Sequence, residues 1–286
     1  MRKLTTLLVV VVFIALFSGC AFPQQVRFAL MAEGAGAPAP NRTLPELVMM
    51  AHTPDGCPSL EAPSADDSGE SEPEEDGRSS GVLPGKPMVA LTFDDGPGPY
   101  TDQILDLLEL HGGRATFFVL GYRVGQWRGT VERMAETGSE VASHSWSHNR
   151  LINLSEAEIA HEIRSASEAI RSITGFAPSI YRPPFGQLND TVEQVSEQIG
   201  YSIINWTLDT LDWRYRDADA VYYAIMSRVE DGSIILLHDV HVTTAQAMEL
   251  VIPRLIAAGY QLVTVSELLT HVYGELEPGR LYGMRQ

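Results

Sequence analysis

The stretch MVALTFDDGPGPYTDQILDLLELHG, Met88 to Gly112, contains one complete strand-and-helix unit. Met88 to Phe93 is an apolar run of strand length. Asp94 and Asp95 end it, Gly96-Pro97 turns the chain, and from Thr101 to His111 apolar residues recur at helical spacing. Further apolar runs begin near Ala115, Glu140, Ser179, Ser202, Ser233 and Gln261, with amphipathic stretches between them and after the last. The clearest helix runs from Glu156 to Thr174, with Ser155 and Glu158 at capping-box positions and Gly175 beyond its end. Gly138, Gly200 and Gly259 sit where helix C-caps are expected. This alternation predicts an α/β fold with a parallel sheet. Seven units fit a barrel better than a small open sheet, and the pattern by itself also permits a doubly wound sheet.

The alternation starts at Lys86, so residues 85–275 read as the folded domain and 276–286 as a C-terminal tail. Residues 21–84 are rich in Ala, Pro, Gly, Ser and Glu, and only Leu44 to Met50 suggests a short helix there. The acidic run EAPSADDSGESEPEED, Glu61 to Asp76, cannot bury enough apolar area to offset its ordering entropy. We therefore read 21–84 as a disordered tether. Residues 1–20, MRKLTTLLVVVVFIALFSGC, have a basic start at Arg2 and Lys3, an apolar core and a small-residue end before Cys20. That is the form of a lipoprotein signal peptide, and it resembles a bacterial lipobox with Phe17 where Leu is usual. The expectation is lipidation at Cys20 and a membrane-anchored, extracytoplasmic protein. An uncleaved N-terminal anchor and plain secretion are the alternatives.

The chain has 286 residues and a formal net charge of −17, which argues against nucleic acid as a partner. No protein partner is indicated. Its two cysteines are Cys20 and Cys57. With Cys20 lipidated, Cys57 has no partner for a disulfide, and no Cys-based zinc site can form.

Sites in such folds gather at the C-terminal ends of the strands. There the sequence places Asp94-Asp95, then HSWSH (His144 to His148), RPPFG (Arg182 to Gly186), DTLDW (Asp209 to Trp213) and His238-Asp239. Two imidazoles four residues apart can share a metal, and a carboxylate from Asp94 or Asp95 would complete three ligands with one position open. The other aspartate would then stand beside a metal-activated water as general base. Neighbouring strand residues point to opposite sides, which would let two adjacent acids take two jobs. Arg182 can hold a carboxylate ionised, and Asp209 or Asp212 can favour imidazolium at His238, the candidate general acid.

TFDDGP, HSWSH, RPPFG, DTLDW and LLHD, in this order, resemble the five motifs of the polysaccharide deacetylases, carbohydrate esterase family 4, also called NodB-homology domains. The resemblance covers roughly Lys86 to Tyr273 and implies a distorted (β/α)7 barrel. It also implies one divalent metal ion, most often Zn2+ with Co2+ or Mn2+ as alternatives, and removal of N-acetyl groups from a polysaccharide. Carried onto this sequence, Asp95, His144 and His148 would bind the metal and Asp94 would be the base, oriented by Arg182. His238 would be the acid, tuned by Asp209 in preference to Asp212, which would cap the next segment. The backbone N–H of Phe185, where many relatives have Tyr, would help hold the oxyanion. Trp213 and Leu236 would wall the acetyl pocket, and Asp239 would be a structural acceptor. A tethered enzyme meets peptidoglycan first, with chitin oligomers or poly-N-acetylglucosamine as alternatives. A catalytically dead carbohydrate-binding lipoprotein is the rival, and the intact motifs argue against it.

Overall fold

The structure is a computed structural model that describes residues 82–284. The expected signal peptide with Cys20, the short helix, Cys57 and the acidic run lie outside the described residues, as does nearly all of the 21–84 tether.

The described strands are β1 (Met88–Asp94), β2 (Thr116–Val119), β3 (Glu140–Ser143), β4 (Ile180–Tyr181), β5 (Ser202–Ile204), β6 (Leu208–Asp209), β7 (Ser233–His238), β8 (Gln261–Leu262) and β9 (Leu281–Tyr282). The helices are α1 (Thr101–Leu110), α2 (Gly121–Val124), α3 (Arg128–Glu136), α4 (Glu156–Thr174), α5 (Asp190–Ile199), α6 (Asp212–Tyr215), α7 (Ala218–Met226), α8 (Val242–Ala257) and α9 (Val265–Tyr273). The capping box of Ser155 and Glu158 starts α4, and left-handed Gly175 and Gly200 end α4 and α5. At α3 and α8 the caps are Thr137 and Ala258, and Gly138 and Gly259 follow one residue later. No helix among the described residues is long and apolar enough to cross a membrane.

All pairings are parallel, in the order β6-β7-β1-β2-β3-β4-β5-β9, with β8 beside the start of β1. Strands β5 and β6 are consecutive in sequence yet lie near opposite ends of that order. The residues joining them, 205–207, span the gap. Asn205 N–H donates to Tyr282 O on the β9 side, and Thr207 N–H donates to Ile234 O on the β7 side. The ring is thus a barrel with one irregular seam, as the motif resemblance implied.

Alternation along the strands sorts the core. Val89, Leu91 and Phe93 pack outward with Ile104, Leu105 and Leu108 of α1 and Met248 and Val251 of α8. Met88 and Ala90 pack inward with Phe118, Ile180, Ile204, Ile234 and Leu236, so several strands converge on one interior. Each such buried Val, Leu, Ile, Phe or Met side chain contributes roughly 1.5–3 kcal/mol. Thr92 and Asp94 share the inward parity of Ala90, so the interior ends in a polar layer at the C-terminal rim.

Both expected domain boundaries shift outward. The backbone of Leu83 exchanges two hydrogen bonds with the Gln261 side chain, and Val82 packs on the interior cluster. The segment read as a tail returns to the sheet as β9, with Tyr282 buried in the interior. Strands β6 and β9 are two residues each, too short to carry a period of their own.

Candidate active site

Asp94 ends β1 almost fully buried, facing Arg182, which is 0% exposed. Arg182 Nη1 donates to Asp94 Oδ1 at 2.7 Å and to Thr92 Oγ1 at 2.8 Å. Its Nε and Nη2 donate to the carbonyls of Ile204 and Asn205, and its guanidinium lies 4.1 Å from the Phe118 ring centroid. Such a set of neutral acceptors and one carboxylate lets a guanidinium sit in a dry interior. Burial pushes the Asp94 carboxyl above its ordinary value, against the opposing pull of Arg182 and then His238. The arginine therefore moderates the shift without reversing it.

Asp95 reaches the same cleft by a different device from the one its strand position suggests. It lies beyond β1 with φ of +70°, a left-handed residue that re-aims its carboxylate. Ser145, His148, Phe185 and Leu211 also have positive φ, so five of the six such non-glycine residues among the described residues fall within the motifs. Each costs on the order of 1–2 kcal/mol, a cost the surrounding packing has to cover.

His144 Nδ1–H donates to the Arg182 carbonyl at 2.8 Å, which leaves Nε2 as a free lone pair. Burial, the largest influence, pushes its pKa down to about 3, so the ring is neutral. His144 Nε2 lies 3.6 Å and His148 Nε2 3.3 Å from Asp95 Oδ1. The donor atoms of Asp95, His144 and His148 all lie within 4.8 Å of one another. Asp95 Oδ1 is buried with no hydrogen-bond partner. An orphaned anionic oxygen facing two imidazole nitrogens is the donor set a divalent ion satisfies, so the residues fit the expected metal.

The loop carrying these histidines is pinned by a residue that the motif reading missed. Glu162 of α4, itself buried, accepts from Trp146 N–H and Ser147 N–H at 2.9 Å each and from Ser147 Oγ at 2.6 Å. Ser145 Oγ accepts from His148 N–H at 3.1 Å. The available signal was an acid on the apolar face of α4, flanked by buried Ile159, Ile163 and Ala166.

Across the cleft stands His238. Its Nδ1 bonds Asp212 Oδ1 at 2.8 Å, and its backbone N–H donates to Asp212 Oδ2. Thr244 Oγ1 and the Trp213 N–H also donate to that carboxylate. Burial alone would raise the Asp212 carboxyl, but these bonds outweigh it and hold its pKa below the ordinary value. Burial likewise works against the His238 charge, and Asp212, then Asp94 and Asp95, overcome it to push the pKa up to about 9.

Here the expectation of Asp209 as the tuning acid is corrected. Asp209 lines the cleft, but its Oδ1 accepts the Leu211 N–H at 2.8 Å, closing a turn. Leu211, with φ of +57°, swings the chain so that Asp212 begins α6 beside β7. Asp212 is thus the partner of His238, in addition to its bond to the Trp213 N–H.

The cleft measures about 420 Å³ and is walled by Phe185, Trp206, Trp213 and Leu236 around the Asp94, Asp95, His144, His148 and His238 side chains. Trp213 and Leu236 lie where the acetyl pocket was expected, and Trp206 is an added wall. The Phe185 ring meets the His148 ring edge-on at 4.6 Å, and the Phe185 backbone N–H has no partner among the described residues. Buried Asp239 accepts from Thr101 Oγ1, as a structural acceptor would. Burial, then Asp95, pushes its pKa to about 7. A Cβ on Gly96 would lie 2.3 Å from an Asp239 oxygen, so only glycine fits there.

The family model for polysaccharide deacetylase matches residues 82–204. The chain is 43% identical over 196 residues to the peptidoglycan-N-acetylglucosamine deacetylase PgdA of Listeria monocytogenes, covering 68% of this chain and 41% of that protein. The chain thus spans about two fifths of that relative. It is 33% identical over 190 residues to a peptidoglycan-N-acetylglucosamine deacetylase of Bacillus cereus, covering 64% of this chain and 89% of the relative. The solved structure of the peptidoglycan deacetylase PdaC from Bacillus subtilis superposes with a TM-score of 0.63 at 42% identity, over 65% of this chain and 92% of PdaC.

Proposed function

The chain belongs to the polysaccharide deacetylase family, and from that premise we propose that it hydrolyses N-acetyl groups from N-acetylglucosamine-type units of a polysaccharide, with peptidoglycan as the polymer. Asp95, His144 and His148 would hold one divalent ion, zinc in our reading. Bound there, the ion supplies Lewis acidity toward the acetamide carbonyl and lowers the pKa of water.

The chain's own groups do the rest. Asp94 Oδ1 is occupied by Arg182, which fixes the carboxylate and leaves Oδ2 to take a proton from the attacking water. His238, held as imidazolium by Asp212 on Nδ1, carries a proton on Nε2 for the departing sugar nitrogen. Phe185 N–H is a donor for the developing oxyanion. Trp213 and Leu236 enclose the acetyl methyl and exclude water. The observation that carries this reading is a buried carboxylate and a carboxylate-held imidazolium in one cleft, an acid–base pair set apart by environment.

The test is acetate release from peptidoglycan, chitin oligomers and poly-N-acetylglucosamine, with and without a chelator. Chelator-sensitive release, largest on peptidoglycan, is expected. Release from none of the three would leave a glycan-binding protein instead. We also place the domain outside the cytoplasm on a lipid anchor at Cys20, on the strength of residues 1–20. Palmitate labelling that persists in Cys20→Ala would overturn that assignment.

A further inference from the structure

The arginines of the described residues divide by what holds them. Arg114, Arg128, Arg133 and Arg280 pair with carboxylates, and Arg182 pairs with Asp94 inside the barrel. Arg164, Arg171, Arg214 and Arg254 have side chains with no hydrogen bond or ion pair among the described residues. Four others are hydrogen-bonded in place and yet have no carboxylate partner. Arg123 Nη1 donates to the carbonyls of Asp95 and Pro97 at 3.3 and 3.0 Å. Arg150 Nη1 donates to Gln187 Oε1 at 2.7 Å, with its guanidinium 4.1 Å from the Phe185 ring centroid. Arg216 Nε donates to the Trp213 carbonyl at 2.8 Å, and its Nη1 meets His241 Nδ1. Arg228 Nη2 donates to the Asp209 carbonyl at 2.7 Å.

Each of these four is fastened to a residue that lines the cleft: Asp95, Phe185, Trp213 or Asp209. Arg150, Arg216 and Arg228 are exposed and Arg123 is half-buried. Neutral anchors hold a guanidinium still and leave its charge unspent, so a ligand meets a cation whose ordering cost is already met. On a chain of net charge −17 these fixed cations place positive charge at the mouth of the site.

We propose that Arg123, Arg150, Arg216 and Arg228 form a cationic collar that binds carboxylates carried by the glycan beside the reacting sugar. The collar makes the cleft select an N-acetylated polymer bearing carboxylates, as peptidoglycan does on its stem peptides and on any lactyl group freed of its peptide, over a neutral one such as chitin. This deepens the deacetylase reading and rests on it for the identity of the reacting sugar.

Co-sedimentation of the metal-stripped protein tests the collar without turnover. The three ligands are whole peptidoglycan, the same glycan freed of stem peptides by an amidase, and chitin. We expect peptidoglycan to be bound roughly tenfold more tightly than chitin at low salt, with the advantage shrinking at about 0.5 M salt. Amidase cleavage removes the stem-peptide carboxylates and frees the lactyl ones, so a preference that persists there shows that lactyl carboxylates suffice for the collar, and one that is lost assigns it to the stem peptides. Arg150→Ala/Arg216→Ala should remove most of the preference, and Arg150→Lys/Arg216→Lys should restore part of it. Equal binding to peptidoglycan and chitin, a salt-insensitive preference, or equal loss on both ligands in the alanine variant would overturn the collar. Absence of acetate release alongside a retained preference would sink the deacetylase reading and leave the collar standing.

Discussion

His144 and His238 both line one cleft, both with a hydrogen-bonded Nδ1, and they carry different charges, one neutral and one positive. The partner of Nδ1 is a carbonyl at His144 and a carboxylate at His238. Burial then decides the first case and the ion pair the second, holding the pKa values near 3 and 9. A neutral ring offers a lone pair to a metal, and a charged ring offers a proton. The lesson is that an identical side chain becomes ligand or acid through one neighbouring oxygen.

Removing the neutral member is the most damaging way to break this contrast. In His144→Ala, bound divalent metal measured by elemental analysis should fall to background, and kcat/KM should fall by at least about 10³-fold. Normal metal content would place the centre elsewhere. Asp94→Asn should lower kcat by about 10²–10⁴-fold with metal retained. It should also lower Tm, because Arg182 is left as an unpaired buried cation. Near-wild-type kcat would remove Asp94 as the base.

Asp212→Asn should turn His238 toward the state of His144. With the carboxylate gone, burial is less opposed and the His238 pKa falls from about 9 toward the ordinary value. Its acid form is then lost at lower pH, so the alkaline limb of kcat/KM should move down by about one unit or more, with kcat reduced roughly 10–100-fold. The sign for stability follows from the same shift. The folded pKa is raised, so the imidazolium's stabilisation is full below about pH 6.5 and is lost as pH rises through about 9. The stability gap between metal-free wild type and Asp212→Asn, read by urea melts, should narrow across that window.

Glu162→Ala should weaken zinc affinity roughly 10–100-fold in a competition titration, and Glu162→Gln should recover part of it by keeping one acceptor oxygen. Unchanged affinity in the alanine variant would reduce Glu162 to a packing role. The smallest effect belongs to Asp209→Asn, expected within about 0.5 kcal/mol in stability and without a shift of the alkaline limb. A limb shift matching that of Asp212→Asn would reinstate Asp209.

Much of this architecture was legible from local pattern. Helices α4 and α5 have the bounds that their caps and apolar faces imply. Residues 94, 95, 144, 148, 182 and 238 were named from their places after apolar runs, and the fold brings them to one cleft or its floor. What escaped had no local signature. The choice between Asp209 and Asp212 turns on Leu211, and a leucine gives no warning of a left-handed backbone. Asp95 likewise reaches the cleft by its own positive φ and not by strand alternation. Arg123 and Arg150 act through partners far away in the chain, which no window of sequence displays.

The seam at residues 205–207 has a practical consequence. Asn205 takes a hydrogen bond from Arg182 at its carbonyl and donates its side-chain amide to the carbonyls of Gly186 and Met284. Met284 N–H in turn donates to the carbonyl of Trp206, a wall of the cleft. The last described residues therefore act as a latch on Arg182 and on the turn that bears Phe185. An affinity tag or fusion partner joined close behind Met284 would pull on that latch, and a chain cut before β9 would lack it. Protein engineers would do better to attach handles ahead of Val82, at the opposite end of the folded sequence from the latch.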